Sequence, residues 1–467
     1  LPGASDHTAI PAAAGGPKPR SFSAVTATTH QPVRPAADER RWSVPHRRLL
    51  GSAALAGLAA SVFVLAIGAA GGPSTIVPLS AKHFPGWMAG PFHVIGLALS
   101  GDALEVMVIA IGLFYAVVLS CVAALDSRRI WAAVIVAHVG ALLAPPLFSG
   151  DVFGYIGFAR LGVLHGISPY NHGANAAPRD AIVPYLGWHN VTTPYGPLFT
   201  LLTYALVPLG IAGALWALKV LAMLTSLATV VLVWLIAKRL GRNPGVAVAL
   251  YGLNPLVLIF AVSGAHNETL FGMFVAAGAL WVLSGQEQLA GVSLICATAF
   301  KASAGLILPF ALIGTAQRRR LALSMLATLA VVVVLAGAVF GTHVLASAGA
   351  VATEQRQVAV HSVPSEVSRL LGLGRLAAGV RAVFLVAFAL ALLAAVRDTL
   401  RGSWWLDCYA WATLALLACS GWLLPWYGLW ALLPASLSGS RRLRIATLLG
   451  CAYLVATRLA VASPVLG

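Results

Sequence analysis

The sequence predicts an all-α, polytopic helical membrane protein. Of its 467 residues, 59% are hydrophobic and only 9% charged, with mean hydropathy +0.88. The apolar residues fall in long runs separated by short basic loops. A water-soluble chain of this length has no interior large enough to hide that much apolar surface. The formal charge of +16 is spread over many loops and marks one side of a membrane, which removes a nucleic-acid reading. Five cysteines (Cys121, Cys296, Cys408, Cys419 and Cys451) lie inside apolar runs. None pairs at metal-ligand or disulfide-framework spacing, so they read as small core residues.

Residues 1–47 are rich in Ala, Pro, Thr and Ser, lack a hydrophobic period and end in Arg40-Arg41 and Arg47-Arg48. That composition predicts a disordered cytoplasmic N-terminal tail. No apolar signal core stands near its start, so 49–70 is expected to be an uncleaved first span with its basic end inside. Residues 48–467 form one transmembrane domain of about 13 segments including a broken hairpin. The later segments are 105–125, 130–148, 214–237, 246–263, 270–283, 289–300, 303–313, 321–340, 376–396, 404–424, 426–437 and 445–461. Several fall short of the ~20 residues a full span needs.

The positive-inside rule orders these segments. Placing the tail, Arg128-Arg129, Lys238 to Arg242, Arg318 to Arg320, Arg397 with Arg401, and Arg441 to Arg444 in the cytoplasm accounts for two thirds of the 30 Lys and Arg residues. The expected outer loops keep Lys82, Arg160, Arg179, Arg356, Arg369 and Arg375. Two irregularities follow. The short apolar run 197–209 has to stay on the outer side, and 289–313 has to go up and come back as two half-spans meeting near Lys301. Broken helices at membrane depth occur where they line a cavity or pack in protein. An alternative counts both as full spans and puts His266 inside.

Polar residues then collect on the outer side. Asp151 opens the loop 149–196, just where a hydrophobic run ends, in a chain with 14 acidic residues. Gly264 to Glu268 face the same side, with Lys301 at the hairpin apex. A second outer loop, 343–374, carries Glu354, Arg356, His361, Ser362, Glu366 and Arg369. Lys219 lies a turn or so inside its helix, and an intramembrane lysine points to function by default. Each feature also has a structural explanation. Asp151 is equally suited to cap the next helix. His266-Asn267-Glu268 fit a polar turn. Lys219 could snorkel to the headgroups. Pro194-Tyr195-Gly196-Pro197 is a turn by its chemistry, and Trp426, Tyr427 and Trp430 suit an interfacial aromatic belt. The sequence has no P-loop, dinucleotide fingerprint, zinc spacing or nucleophile signature.

The ordered series Gly150-Asp151-Val152-Phe153-Gly154-Tyr155, Gly166-Ile167-Ser168-Pro169-Tyr170, Thr193-Pro194-Tyr195-Gly196-Pro197-Leu198, Asn254-Pro255-Leu256, Ala265-His266-Asn267-Glu268, Phe300-Lys301-Ala302-Ser303 and Pro425-Trp426-Tyr427 resembles the GT-C membrane glycosyltransferases. Within them it is similar to the actinobacterial polyprenyl-phosphomannose-dependent α-1,6-mannosyltransferases of lipomannan synthesis. The similarity covers roughly residues 48–465, and its specificity lies in the order of the pieces. It implies a multi-pass enzyme of the plasma (inner) membrane with an extracytoplasmic active site. The first acidic residue of the large outer loop, here Asp151, would be the catalytic base. Glu268 maps to a second acidic position, where Asp after His-Asn would be more usual. The substrate-binding candidates are Tyr155, Tyr170, His189, Tyr195, Lys219, His266, Asn267, Glu268, Lys301, His361 and Arg369.

The resemblance implies a polyprenyl-phosphate-mannose donor, a lipid-anchored mannan acceptor and contact with membrane lipids. It implies no nucleic acid, no cofactor and no assigned metal ligands, and leaves a divalent-metal requirement open. A carboxylate would accept the acceptor hydroxyl's proton, and fixed cations would steady the departing phosphate, with Lys219, Lys301 and Arg369 in that role. Attack opposite a β-phosphate inverts the anomeric carbon and gives an α linkage. Another lipid-linked sugar such as arabinose stays open. A transporter is the rival class, but matching halves with paired Gly/Pro breaks are absent from the sequence.

The layout predicts labelling. Cysteines introduced as Asn190→Cys and His361→Cys should react with an impermeant thiol reagent on intact cells, and Ser440→Cys should not. Labelling of the last variant would overturn the arrangement.

Overall fold

The computed structural model describes residues 44–77 and 84–460. Most of the expected tail, and Lys82 with it, lies outside the described residues. The first helix, α1 (Val44–Ala70), starts before the expected 49. It pairs antiparallel with α2 (Gly101–Cys121): Gly51 lies against Cys121 and Gly68 against Leu99. α3 (Ser127–Leu143) runs parallel to α1. Arg129 bonds Ser52 at 2.6 Å near their starts, and Gly140 faces Val62 and Phe63 further along.

The outer-loop region follows, with α4 (Asp151–His165) and α5 (Pro197–Leu206) as short helices. Asp180 ties α4 to its loop. Its carboxylate accepts from Arg160 at 2.8 Å and His165 at 2.7 Å. Burial works against its charge, but these two partners hold Asp180 below the usual carboxylate range. The short apolar run 197–209 ends at Gly210, whose φ of 69° breaks it from α6 (Gly210–Arg239). α6 returns along the bundle until Arg239 reaches the Leu283 carbonyl at 2.8 Å.

The expected span 246–263 is one path with a break in it. α7 (Pro244–Gly252) stops at Asn254-Pro255, and Leu256–Ser263 continues as a π-helix, bent 53° from it. Proline removes one backbone donor. Asn254 compensates: its Oδ1 accepts the Leu256 N–H at 2.9 Å, and its amide donates to the Tyr115 hydroxyl at 3.2 Å. α8 (Glu268–Leu283) turns back. α9 (Glu287–Phe300) rises to Lys301, where an extended backbone (φ −151°, ψ 125°) ends it. α10 (Ile307–Gly314) descends. Thr315 donates to Glu287 at 3.0 Å, so the chain returns to the level it left, as the hairpin reading of 289–313 requires.

α11 (Arg318–Phe340), the short α12 (Ser347–Arg356) and α13 (Val363–Leu370), α14 (Ala378–Leu400), α15 (Trp405–Cys419), α16 (Gly428–Ser436) and α17 (Arg441–Ala456) complete the bundle. No strand occurs among the described residues. Five helices are long and apolar enough to cross a membrane, or six if the bent pair counts as one. The other expected segments are shorter apolar helices. α11 and α14 expose most of their apolar surface, as lipid-facing helices do. The protein is an all-α polytopic membrane protein.

The two ends of the bundle differ. Arg48 pairs with Asp126 near the starts of α1 and α3, and Arg239 and Arg242 lie at the end of α6 that shares this level. At the opposite end the Phe148 N–H donates to the Ile76 carbonyl at 2.6 Å, just before Asp151.

One contact fixes the loop to the hairpin apex. The Gly196 N–H donates to the Phe300 carbonyl at 3.1 Å, and a Cβ on Gly196 would stand 2.1 Å from the Ala299 carbonyl oxygen. Gly196→Ala should therefore separate the turn from the apex at a cost of about 1–3 kcal/mol, seen as a lowered Tm in detergent. A Tm equal to wild type would contradict this close approach.

Candidate functional site

A cavity of about 720 Å³ opens at this end of the bundle. Its walls come from the start of α4, the loop 188–195, α12 with the residues after it, the segment 422–426 and the end of α17. Asp151 is in the wall. It is the first residue of α4, Gly150 holds the cap position, and no side chain caps the helix. The carboxylate is 19% exposed. Desolvation by the walls pushes its pKa up to about 6; Glu268 and Glu354 add to that, while Lys301 and the Ser149 hydrogen bond oppose it.

Behind Asp151 lies a buried polar layer. His266 Nδ1 is 3.8 Å from Asp151 Oδ2 and 3.9 Å from Glu268 Oε2. Its ring stacks on Trp426, with centroids 3.8 Å apart and planes at 22°. Neither ring nitrogen has a hydrogen-bond partner among the described residues. Burial holds the imidazole neutral, its pKa well below the usual value, with Lys301 and Arg458 acting in the same direction. Both carboxylates approach the same nitrogen, Nδ1, and both stand beyond hydrogen-bond distance. Glu268 is also bound by Lys301, Nζ to Oε1 at 2.5 Å. The lysine amine lies over the Tyr427 ring at 4.8 Å and the Trp430 ring at 5.5 Å.

The backbone is strained on both approaches to this layer. Phe148 (φ 60°) precedes Ser149-Gly150-Asp151, and Ala265 (φ 54°) precedes His266. Non-glycine residues in this region cost free energy, and such strain clusters at functional sites. Phe148 stacks on Phe260 of the π-helix at 4.9 Å, so the two strained segments support each other.

The sequence-derived candidates separate into groups. Asp151, Tyr195 and His361 line the cavity. His266, Asn267 and Glu268 are buried beneath it. Lys301 joins them through Glu268. Tyr155 is buried edge-on against Tyr195 and Phe199, both at 4.9 Å. Lys219 is fully buried, and its amine donates to the Ser263 carbonyl at 2.8 Å. It thus braces the end of the π-helix and does not line the cavity. Tyr170 lies in a separate cluster with Phe340, its hydroxyl on Thr200 at 3.0 Å. His189 is exposed beside the cavity residues Trp188 and Asn190. Arg369 donates twice to Glu366 Oε2, at 2.9 and 3.0 Å, and Glu366 Oε1 lies 3.0 Å from His361.

Other cavity residues were given no role by the sequence, Glu354 among them although it was named in the second outer loop. Glu354 accepts from the Tyr427 hydroxyl at 2.9 Å and the Trp422 indole at 3.2 Å. Arg458 lies at the end of the last apolar run, where the rule that flagged Lys219 applies equally. Trp188 and Trp422 meet edge-on at 6.1 Å. The aromatic belt expected at Trp426 and Tyr427 is corrected: both are 4% exposed and belong to the floor of the site. No cluster of His, Cys, Asp and Glu suited to a metal ion occurs among the described residues.

Residues 54–317 match the family described as alpha-(1->6)-mannopyranosyltransferase, N-terminal domain. The alpha-(1->6)-mannopyranosyltransferase A of Mycobacterium tuberculosis is 38% identical over 180 residues, 36% of this chain and 33% of that protein. The protein of the same name from Corynebacterium glutamicum is 33% identical over 178 residues, 36% of this chain and 35% of its own. These alignments span about a third of the relatives' length. No solved structure matches the chain. With more than half of its residues matched, from the first helix through the hairpin, the chain belongs to the alpha-(1->6)-mannopyranosyltransferase family.

Proposed function

We propose that the protein is an integral membrane mannosyltransferase that moves mannose from polyprenyl-phosphate-mannose to a mannan or lipoglycan acceptor, forming an α-1,6 linkage with inversion. The observation that carries this reading is Asp151. It stands largely desolvated in an aromatic-walled cavity at one end of a membrane bundle, in a chain of a mannopyranosyltransferase family. A donor whose lipid lies in the bilayer needs no nucleotide-binding fold, only a cavity that opens where the sugar emerges. The basic residues gathered at the opposite end support a cytoplasmic N-terminus and an extracytoplasmic site in the plasma membrane.

In the proposed step an acceptor mannose hydroxyl enters beside Asp151. Its oxygen forms a bond to the anomeric carbon as its proton passes to the Asp151 carboxylate. The bond from that carbon to the phosphate oxygen breaks, and the electron pair leaves with the lipid phosphate. A base works best when its pKa lies near the working pH, and a value of about 6 leaves Asp151 mostly ionised at neutral pH. Glu268 and Lys301 neutralise each other beneath it. Tyr195, Trp188 and Trp422 give the sugar rings apolar faces to stack on, and His361 lies on the same wall.

Asp151→Asn keeps shape but cannot take a proton. Turnover should fall by about 10²–10⁴ while donor affinity is retained; turnover within a fewfold of wild type would reject the base. Asp180→Asn should lower stability by loosening the Arg160 and His165 clamp, and leave the remaining turnover dependent on Asp151.

The pH profile gives a second check. The base acts when deprotonated, so the rate should decline as pH falls through about 6. Lys301 favours the ionised form of Asp151, so Lys301→Met should move that acid limb to higher pH. An unchanged midpoint in a folded variant would remove Lys301 from the electrostatics of the base.

A further inference from the structure

A second cavity, about 630 Å³, lies between α14, α15, α16 and α17. Its lining is mostly apolar and small-sided, with Ala391, Ala395, Ala415, Ala418, Gly428 and Gly450 leaving the space open and Asp398, paired with Arg397, on its rim. It meets the Asp151 cavity at two residues that line both, Leu423 and Leu454. Along α17, Thr447, Cys451 and Leu454 line this groove, and Arg458 lies on the same line beyond them, facing the first cavity. Thr447, Cys451 and Leu454 share one helix face, and Arg458 follows in the turn just past the helix end, so the segment forms a track from an apolar groove to a cation.

Arg458 is the only Lys or Arg among the described residues lining the Asp151 cavity. The other basic candidates are engaged elsewhere: Lys301 with Glu268, Lys219 with the Ser263 carbonyl and Arg369 with Glu366. Arg458 forms no ion pair among the described residues, although it feels the charge of Asp151. A planar guanidinium suits bidentate binding of phosphate oxygens, and a fixed cation at this point stabilises charge developing on a leaving phosphate.

We propose that the groove between α14 and α17 seats the polyisoprenoid chain of a lipid monophosphate, with Arg458 holding the phosphate at the junction and the sugar passing into the Asp151 cavity. This rests on the lipid-phosphate donor reading above and adds where that lipid lies. The groove's continuity with the candidate active cavity, and a cation placed at their junction, select this occupant over an ordinary bilayer lipid.

Gly450 provides the test. A Cβ added there meets nothing within 4 Å, so Gly450→Leu fills the groove and also favours the helix. The full chain in nanodiscs is assayed with decaprenyl-phosphate and citronellyl-phosphate mannose. Gly450→Leu should lower kcat/KM for the long donor by about tenfold, the worth of one or two buried CH₂ groups, and leave the short donor unaffected. Equal loss with both donors, or no loss, overturns the groove. Arg458→Gln should lower use of both donors by about 10²–10³, with partial recovery in Arg458→Lys; wild-type rates in Arg458→Gln overturn the phosphate site.

A photoreactive decaprenyl phosphate supplies a readout independent of turnover. It should label α17 in wild type, less in Gly450→Leu, and resist excess phosphatidylglycerol. Displacement by phosphatidylglycerol, or no labelling of α17, overturns the proposal. Labelling of α17 without transfer from either mannosyl donor keeps the groove and removes the mannosyltransferase reading.

Discussion

Glu268 is the point on which the site depends. A carboxylate with no exposed side-chain surface is costly in a low-dielectric interior unless a cation meets it. Lys301 does so from a different part of the chain. The pair joins the start of α8 to the apex of the α9–α10 hairpin, and the apex in turn holds the Gly196 turn through the Phe300 carbonyl. Tyr195, carried by that turn, is a wall of the cavity. Removing either charge leaves the other buried and unpaired, so the local fold and the electrostatics around Asp151 stand or fall together.

Geometry at the floor comes from a helix that departs from α geometry. Asn254-Pro255 bends the path, and the π-helical stretch after it delivers Ser263 to Lys219 and Ala265 into a strained conformation. A straight α-helix would present His266 at another angle and lose its stack on Trp426. Asn254 and Lys219 are each spent on freed backbone groups near this bend. Polar residues inside a bundle have two uses, chemistry and repair of broken backbone, and only their partners distinguish the two.

That distinction explains what was legible in the sequence. Hydropathy and basic-residue bias gave the helical class, and the need to keep Arg318 to Arg320 on the basic side led to the hairpin at Lys301. Asp151 stood out because so few acids occur in the middle of the chain. Lys219 was legible as important but not as a brace, since a sequence does not display the Ser263 carbonyl. Trp426 and Tyr427 have a composition shared by headgroup belts and by buried floors, and only packing separates them. Glu354 and Arg458 come from segments far apart in the chain, and their convergence on Asp151 is a property of tertiary contacts. Arg458 carried an unused sign, a charge within an apolar run.

The hairpin also bears on how the chain enters a bilayer. α9 has 14 residues, ~21 Å at the helical rise, short of the ~30 Å hydrocarbon core. Its return limb is no longer, and the lysine between them has no partner until Glu268 is in place. Neither limb can sit in lipid alone as a stable stop along the way. The two therefore go in together, against α8 already present, whose Glu268 meets the lysine. Assembly of the charged apex is then a cooperative event, and a chain stalled before the return limb would leave the lysine without the packing that holds it against Glu268.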